Sequence, residues 1–316
     1  MDKKAFRIIF MGTPDFAVES LKILVEHNYN VVGVVTNPDK PAGRGQKLKE
    51  SAVKQYAVSQ GLHILQPQSL KDPQFKKEIQ TLEPSLQVVV AFKILPTEIF
   101  TIPEYGTFNL HASLLPQYRG SAPINHAIMN GESKTGVTTF FLDKHVDTGK
   151  IIDQKEVPIT TTDTAGTLHD KLMKTGAELV RSTVDSIIQQ NYTIIPQDKI
   201  VEDLANLKKA PKIFSKDCRI NWNNTTVNVF NFIRGLSPYP AAWCELKDKN
   251  EKKKKVKIFF GQPVQQVHNY QPGTIESDQK SYLKVATRDG FVNISELQSE
   301  GKKKMDIEAF LRGNKD

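Results

Sequence analysis

The sequence predicts an α/β protein with a doubly wound, Rossmann-like N-terminal domain and a smaller C-terminal OB-like β-barrel domain. A chain of 316 residues is too long for one small domain and long enough for two that each bury a core. The chain opens with the order strand, helix, strand, which is typical of a parallel sheet. Beyond residue 207 the pattern changes to short strand-like runs separated by turns, which favours a small barrel.

An apolar run at residues 6–11 predicts the first strand, and the turn Gly12-Thr13-Pro14 ends it. Asp15 follows directly, so we expect its carboxylate to cap a helix over residues 16–24. The further predicted elements are strands at 31–35, 88–92, 107–111, 137–142 and 151–152, and helices at 124–129 and 164–190. These elements place the first domain at residues 1–190, followed by a linker at 191–207.

The predicted second domain, residues 208–316, carries nearly all the excess positive charge. Its predicted elements are a helix at 227–234 and strands at 256–260, 273–275, 283–287 and 291–294. Residues 1–206 contain 22 Lys and Arg against 23 Asp and Glu, whereas residues 207–316 contain 21 against 12. Such segregation fits a module that binds a polyanion, and it fits a solubilising basic surface equally well.

Several classes of protein are excluded by composition and motifs. No apolar run approaches the roughly 20 residues of a membrane helix, and the N-terminus lacks the pattern of a signal peptide. The two cysteines, Cys218 and Cys244, are too few for a disulfide framework and too far apart for a zinc site. Gly12 starts a dinucleotide fingerprint whose other glycines are missing, which argues against NAD or FAD. We therefore expect a cytoplasmic monomer with no membrane segment and no metal.

A dense polar cluster occupies residues 109–120, and Asp147 follows in the turn 147–149. Asn109 and His111 are two apart in a predicted strand, so their side chains share one face. With a carboxylate beside them they would suit acyl transfer to an amine. The histidine would relay a proton, the asparagine would donate to the oxyanion, and the carboxylate would stabilise the imidazolium. Taken singly, each residue also fits a structural role, and spacing alone leaves both interpretations open.

The runs at residues 109–116, 118–120 and 147–149 resemble the signature of the folate-dependent formyltransferases. This resemblance implies that the catalytic residues are Asn109, His111 and Asp147. It also implies that 10-formyltetrahydrofolate is the formyl donor, that tetrahydrofolate is the product, and that no metal takes part. The segment that the resemblance associates with the folate is Ser113, Leu114, Leu115 and Pro116.

Residues 39–47 resemble the loop that the methionyl-tRNA branch of this family carries after its second strand. The resemblance implies that Arg44 and Lys47 contact the acceptor arm of initiator methionyl-tRNA, which would be formylated for translation initiation. Without the neighbouring motifs the same stretch is simply a flexible surface loop. Residues 210–213, 233–243 and 297–303 resemble the second domain of the family, so the similarity runs nearly from end to end.

The chain departs from the family pattern at two places. Residues 91–96 are one residue shorter than the usual segment and lack its glycine. A glycine commonly precedes the catalytic aspartate, whereas Lys144, His145 and Val146 stand there in this chain. His145 is two residues from Asp147, and we expect it to be a solvated side chain without a catalytic role.

Two other functions remain open at this stage. The same catalytic residues could serve a formyltransferase that acts on glycinamide ribonucleotide or on an amino sugar. The basic second domain and the loop at residues 39–47 speak against the ribonucleotide. The amino sugar is harder to exclude by chemistry, although the enzymes that use it need no basic second domain. The chain could also be an RNA-binding protein whose α/β domain is inactive, but a binding protein has no use for the three polar residues together.

Overall fold

The computed structural model describes residues 3–42, 47–201, 206–247 and 253–313. The strands are β1 Arg7–Gly12, β2 Asn30–Val35, β3 Lys40–Ala42, β4 Lys47–Lys49, β5 Ile64–Leu65, β6 Leu86–Val90, β7 Thr107–His111, β8 Arg119–Gly120, β9 Lys134–Phe141, β10 Ile151–Pro158, β11 Lys209–Ala210, β12 Ala242–Lys247, β13 Lys253–Val264, β14 Ile275–Ser277, β15 Leu283–Ala286, β16 Phe291–Ser299 and β17 Met305–Asp306. The helices are α1 Val18–Glu26, α2 Ala52–Ser59, α3 Pro73–Thr81, α4 Thr97–Phe100, α5 Pro123–Met129, α6 Ala165–Ile188, α7 Thr226–Leu236 and α8 Ile307–Arg312.

The chain divides into two compact units. The first is formed by Met1–Gly120, Thr135–Pro158 and His169–Lys209, and the second by Ser121–Lys134, Ile159–Leu168 and Ala210–Asp316. Two segments of the predicted first domain, residues 121–134 and 159–168, therefore belong to the second unit. The boundaries 1–190, 191–207 and 208–316 stay a prediction.

The first unit contains a sheet with the strand order β10-β9-β7-β6-β1-β2-β5. β1 is parallel to β2 and β6, β6 is parallel to β7, β2 is parallel to β5, and β9 is antiparallel to β7. The chain winds outward from β1 through β2 to β5 and then returns on the other side of β1 through β6 and β7. This confirms the predicted doubly wound sheet. In such sheets a crevice opens at the carboxyl ends of the strands where the direction reverses, here β1 and β6.

The strands beside this reversal are the most buried part of the first unit. All five residues of β6 are buried, as expected for a parallel strand that is covered on both faces. Ile9 and Met11 of β1 pack in one apolar cluster with Phe75 and Ile79 of α3. The carboxyl ends of these strands are therefore fixed by the core, which gives the residues that follow them a defined position.

One local prediction is wrong, since Asp15 does not cap a helix. Residues Asp15–Ala17 form a short 3-10 turn, and α1 begins only at Val18. The carboxylate of Asp15 accepts the N–H of Phe16 at 3.0 Å and so stays within its own turn. The apolar spacing of the helix was predicted correctly, because Leu21 and Leu24 are fully buried.

The second unit contains an antiparallel sheet with the order β12-β13-β16-β15-β14, and β17 pairs with β16. Helix α7 packs on this sheet through Val229 and Ile233, which share a core with Val256 and Ile258 of β13. The side chain of Thr225 caps the helix by accepting the N–H of Asn228. The predicted small β domain after a single helix is thus confirmed, with β13 and β16 longer than expected.

Candidate active site

Strand β7 carries the first two residues of the predicted polar set. Asn109 pairs with Val89 of β6 and with Phe140 of β9, and His111 pairs with Thr138 of β9. Neighbouring strands on both sides therefore fix the backbone of β7. Because side chains two apart in a strand share a face, Asn109 and His111 lie on the same side of the sheet, roughly 7 Å apart along the strand.

The imidazole of His111 is held by a backbone carbonyl. His111 is only 6% exposed, and its Nε2 atom lies 2.9 Å from the carbonyl oxygen of Tyr118. A carbonyl can only accept, so Nε2 must carry a proton in this hydrogen bond. The remaining nitrogen, Nδ1, is then the one that can gain or lose a proton.

Asp147 faces that nitrogen. Its Oδ2 atom lies 3.9 Å from Nδ1 of His111, a separation too long for a hydrogen bond but close enough for the carboxylate to attract the ring when the ring carries a charge. The same oxygen accepts the N–H of Gly120 at 3.0 Å. The structure thus brings together His111 and Asp147, two residues that lie far apart in the sequence.

The turn that carries Asp147 is tightly constrained. Asp147 has a φ of 56°, in the left-handed region that side chains other than glycine rarely adopt. Thr148 donates its hydroxyl to the carboxylate of Asp143 at 2.8 Å and so closes the turn. A Cβ atom at Gly149 would overlap the carbonyl oxygen of Phe141, which explains why glycine stands there. His145 is exposed, as predicted for a solvated side chain.

The side-chain amide of Asn109 is available for a ligand. Asn109 is half-buried, and its amide has no hydrogen-bond partner within the described parts of the chain. A polar group at the end of a buried strand is normally paired. An amide that is left unpaired beside the pair His111 and Asp147 can donate to an oxygen atom of a substrate.

The segment associated with the folate forms a packed loop after β7. Ser113, Leu115 and Pro116 are buried, whereas Leu114 is half-buried. The hydroxyl of Ser113 donates to the carbonyl of Gln117 at 2.7 Å, and the N–H of Leu115 donates to the hydroxyl of Thr138 at 3.1 Å. The polar groups of Ser113 and Leu115 therefore hold the loop together, and Leu114 has the most accessible side chain of the four.

A second loop follows β6 at the reversal of the sheet. Ala91 has a φ of 47°, a left-handed conformation that costs an alanine free energy. Leu95 is buried, whereas Ile94 is 75% exposed. An exposed aliphatic side chain at the mouth of a strand-end crevice is suited to contact an apolar or aromatic ligand.

The predicted tRNA-binding loop, residues 39–47, contains strand β3 and the start of strand β4, which pair as a hairpin. β3 and β4 are antiparallel, and their register pairs Ala42 with Lys47. Arg44 lies outside the described residues, and of Lys47 only the backbone is described. At the base of the hairpin, Asp39 forms an ion pair with Lys54 of α2. The contacts predicted for Arg44 and Lys47 stay predictions.

Three contributors to the site were missed by sequence reasoning. The carbonyl of Tyr118 and the N–H of Gly120 are backbone groups, so no residue type announces them. Arg119 is the third. It stands between these two residues in the sequence, its side chain is partly buried, and its guanidinium donates to Oε1 of Gln197. Burial lowers the pKa of Arg119 from its ordinary value, and the negative charge of Asp147 opposes that shift. The run at residues 118–120 belongs to the family resemblance, but nothing in it assigned these roles.

Among the residues that the structure describes, no group of three or more histidine, cysteine, aspartate or glutamate side chains could hold a metal ion. No described helix combines the length and the apolar composition needed to cross a bilayer.

Comparison with known families identifies the class of protein. A formyl transferase family model matches residues 6–184, and a model of the formyl transferase C-terminal domain matches residues 212–315. The chain is therefore an enzyme that belongs to the formyltransferase family. The match covers the doubly wound sheet with Asn109, His111 and Asp147 as well as the antiparallel sheet of the second unit.

Similar proteins carry the name methionyl-tRNA formyltransferase. The protein of that name from Parabacteroides distasonis is 54% identical over 316 residues, covering 100% of this chain and 98% of the relative. The Bacteroides fragilis protein is 52% identical over 313 residues, covering 99% and 96%. The Flavobacterium johnsoniae protein is 50% identical over 307 residues, covering 97% and 96%.

Solved structures share the fold at lower sequence identity. An N-formyltransferase from Helicobacter canadensis in complex with folinic acid and dTDP-3-aminofucose is 23% identical with a TM-score of 0.66, covering 95% of this chain and 100% of its own. HypX from Aquifex aeolicus in complex with tetrahydrofolic acid is 18% identical with a TM-score of 0.64, covering 96% and 46%. At these identities the similarity shows the fold alone.

Proposed function

We propose that this enzyme transfers the formyl group of 10-formyltetrahydrofolate to the amino group of methionine that is esterified to initiator tRNA. The observation that carries the proposal is the arrangement of His111, whose Nε2 is bound to the carbonyl of Tyr118 while its Nδ1 faces Asp147 at 3.9 Å. Relatives of that activity, identical at about half of all positions along the whole chain, support the choice of acceptor.

The proposed reaction requires one proton to move between two nitrogen atoms. The donor supplies a formyl carbon bonded to folate N10. A bond forms between the amine nitrogen of methionine and this carbon, and the bond from the carbon to N10 breaks. Nδ1 of His111 accepts a proton from the attacking amine and returns it to N10, so neither protons nor electrons are left over. Histidine suits both steps because its ordinary pKa lies near neutrality.

Asp147 and Asn109 would stabilise the charges that develop during transfer. The carboxylate of Asp147 faces the nitrogen of His111 that becomes protonated, so its negative charge favours the imidazolium. The unpaired amide of Asn109 would donate to the formyl oxygen as negative charge collects there. Donors of this kind contribute about 3 to 4 kcal/mol in other acyl-transfer enzymes.

The folate would lie at the carboxyl ends of β6 and β7. Ile94 exposes an apolar side chain after β6, and Leu114 is the accessible member of the segment that follows β7. We propose Ser113, Leu114, Leu115 and Pro116 as the folate-binding segment. Within it the buried residues would support the pocket, and Leu114 would touch the ligand.

The acceptor tRNA would contact a basic and aromatic groove of the second unit. The groove has a volume of about 370 Å³, and its lining includes Lys212, Tyr239, Trp243, Lys255 and Lys257. The ammonium group of Lys255 lies 4.1 Å from the centre of the Trp243 ring, and Tyr239 is 82% exposed. Lysines beside exposed aromatic rings are the groups that bind phosphates and stack on unpaired bases.

The C-terminal part of the sequence has two runs of lysines, at residues 252–255 and 302–304, and the lysines on the surface of this unit are not equivalent. Lys304 pairs with Glu296, and Lys253 lies 3.9 Å from a carboxylate oxygen of Glu245. Lys255 and Lys257 alternate along β13 with the buried residues Val256 and Ile258, so they point away from the core. We therefore assign the main phosphate contacts to the groove, and we propose Arg44 and Lys47 of the hairpin as further contacts to the acceptor arm.

We also propose that the enzyme acts as a cytoplasmic monomer. Cys218 and Cys244 are both unpaired and buried, which fits a reducing compartment. The proposed catalytic residues all come from one chain, so a partner copy is not needed to complete the set. Light scattering of the purified protein tests the oligomeric state.

An acceptor assay tests the proposed function. The purified protein is incubated with 10-formyltetrahydrofolate and one acceptor at a time: methionyl initiator tRNA, methionyl elongator tRNA, glycinamide ribonucleotide or a nucleotide-linked amino sugar. We expect formylmethionine to be released by base from the initiator tRNA alone. Formylation only of the ribonucleotide or the amino sugar would replace the proposed acceptor. The absence of product with every acceptor would favour an RNA-binding protein.

A further inference from the structure

The connector at residues 191–207 contains one residue that is not an ordinary linker residue. Gln197 is 3% exposed, whereas the other residues from 191 to 200 are exposed or only partly covered. It begins a short 3-10 turn, Gln197–Lys199, within the first unit. A glutamine is rarely buried unless its amide is fully hydrogen-bonded, so its partners indicate what it does.

The amide of Gln197 uses all of its hydrogen-bonding capacity on the active-site turns. Its Nε2 atom donates to the carbonyl of Asp147 at 2.9 Å and to the carbonyl of Gly149 at 2.8 Å. Its Oε1 atom accepts from Nε and Nη2 of Arg119, at 3.0 and 2.5 Å. An amide has two donor hydrogens and room for two accepted bonds, and here each is filled by a residue next to the proposed catalytic pair.

These bonds close a ring around Asp147. Gln197 holds its carbonyl, and the N–H of Gly120 holds its carboxylate. Arg119 and Gly120 are adjacent in the chain. The backbone N–H of Gly120 therefore binds Asp147 directly, and the side chain of Arg119 is linked to Asp147 through Gln197. Asp147 keeps a left-handed φ of 56°, a conformation that persists only where the surroundings fix it.

We infer that Gln197 is a positioning residue that sets the distance between Asp147 and His111. The inference rests on the proposed function and deepens it, since it assigns part of the connector to catalysis. Gln197 does not touch either substrate in this scheme. It acts by holding the turn at residues 147–149 against Arg119, so that the carboxylate stays opposite Nδ1 of His111.

The test compares two substitutions of Gln197 with a matched control. Gln197→Met keeps the length of the side chain but removes all four hydrogen bonds. Gln197→Glu can still accept from Arg119 but cannot donate to the two carbonyls. Gln189→Met is the control, because Gln189 is exposed and lies outside the ring. We expect Gln197→Met and Gln197→Glu each to lower kcat by on the order of 100-fold, because the carboxylate of Asp147 would be misplaced.

Separate measurement of kcat and KM distinguishes a positioning role of Gln197 from a general loss of structure. The KM values for the charged tRNA and the folate should stay within about twofold of wild type, since neither contact involves Gln197. Gln189→Met should leave kcat unchanged. A Gln197→Met protein with unchanged kcat, or with all of its loss explained by partial unfolding in a thermal melt, would overturn the inference.

A double-mutant cycle shows whether the effect passes through Asp147. In an Asp147→Asn background, we expect Gln197→Met to cost less than about threefold in kcat, because the carboxylate is already lost. A full 100-fold loss in that background would mean that Gln197 acts elsewhere. All rates are measured with whichever acceptor the wild-type enzyme formylates. If the wild-type enzyme formylates a different acceptor, the proposed function is overturned, but the positioning role of Gln197 can still be tested with that acceptor. If the wild-type enzyme is inactive with every acceptor, the proposed function and the role of Gln197 are both overturned.

Discussion

Nδ1 of His111 lies 3.9 Å from the carboxylate of Asp147, while its Nε2 is bound to the carbonyl of Tyr118. In the proposed mechanism the two ring nitrogens have different tasks. The bond to Tyr118 orients the ring and keeps Nε2 protonated, which leaves Nδ1 to exchange protons. Asp147 can then stabilise the charged ring in every cycle without taking up the proton itself.

The proposed catalytic residues can be tested by truncation. We expect His111→Ala to lower kcat/KM by about 100-fold or more, because no other group is placed to carry the proton. Asn109→Ala should lower it by on the order of 100- to 1,000-fold through loss of the oxyanion donor. The measurement is steady-state formyl transfer to methionyl initiator tRNA.

His145 provides the matched control for these substitutions. It is a histidine two residues from Asp147, and its side chain is exposed. We expect His145→Ala to stay within about twofold of wild type in kcat/KM. A loss of less than about tenfold for His111→Ala, or an equal loss for His145→Ala, would remove His111 from the mechanism.

The turn that carries Asp147 should not tolerate a side chain at Gly149. An added Cβ would overlap the carbonyl oxygen of Phe141, so the turn must move away from its strand. We expect Gly149→Ala to destabilise the protein by about 1 to 3 kcal/mol and to lower kcat as well. Urea unfolding and the transfer assay measure the two effects. Gly313→Ala is the control, since a Cβ there meets only ordinary contacts, and equal results for both variants would contradict the steric argument.

The sequence predicts the central strands of the fold better than its peripheral helices. β7 has the predicted bounds, because its neighbours cover it and its apolar pattern is strong. Helices α2 and α3 were not predicted, and each buries only two residues. In α3 these are Phe75 and Ile79, too few for a clear apolar stripe. Asp72 followed by Pro73 was nevertheless a usable signal for the start of a helix.

The candidate site was only partly predictable for a different reason. Spacing along one strand places Asn109 and His111 on one face, but nothing local connects them with Asp147, which reached the set through family resemblance. The groups that contact His111 and Asp147 are the carbonyl of Tyr118, the N–H of Gly120 and the side-chain amide of Gln197. Gln197 lies 50 residues from Asp147 in the sequence. Backbone groups and long-range hydrogen bonds leave no pattern in a single sequence, so only the fold reveals them.

The groove lysines should control the binding of tRNA rather than the chemistry. We expect the double variant Lys255→Gln and Lys257→Gln to weaken binding and to reduce the slope of log affinity against log salt by about 1 to 2, as lost phosphate contacts do. The value of kcat at saturating tRNA should not change. Filter binding from low to high salt gives the slope. The control is the double variant Lys71→Gln and Lys77→Gln, which removes the same charge from exposed positions of the first unit. An equal change in the salt slope of the control would contradict the proposal that tRNA binds in the groove.

Asp185 should stabilise the first unit in a way that depends on pH. Burial opposes its ionisation, but hydrogen bonds from Tyr29 and Lys3 outweigh this effect and hold the pKa of the carboxyl below its ordinary value. A group with a depressed pKa in the folded state contributes stability above its unfolded pKa of about 3.9 and loses it as the pH falls through the folded value. Asp185→Asn should therefore cost about 1 to 2 kcal/mol at pH 7. Acid unfolding of the variant should begin at a higher pH.

The control for this substitution is Asp170→Asn, because Asp170 is an exposed carboxylate on the same helix. Its loss should change the free energy of unfolding by less than about 0.5 kcal/mol at pH 7. Urea unfolding is followed from pH 7 to pH 3, because the advantage of the wild type should shrink once the pH falls below the unfolded pKa of about 3.9. A difference between wild type and Asp185→Asn that stays constant down to pH 3 would show that the charge of Asp185 does not stabilise the fold, and that its contacts with Tyr29 and Lys3 contribute only as neutral hydrogen bonds.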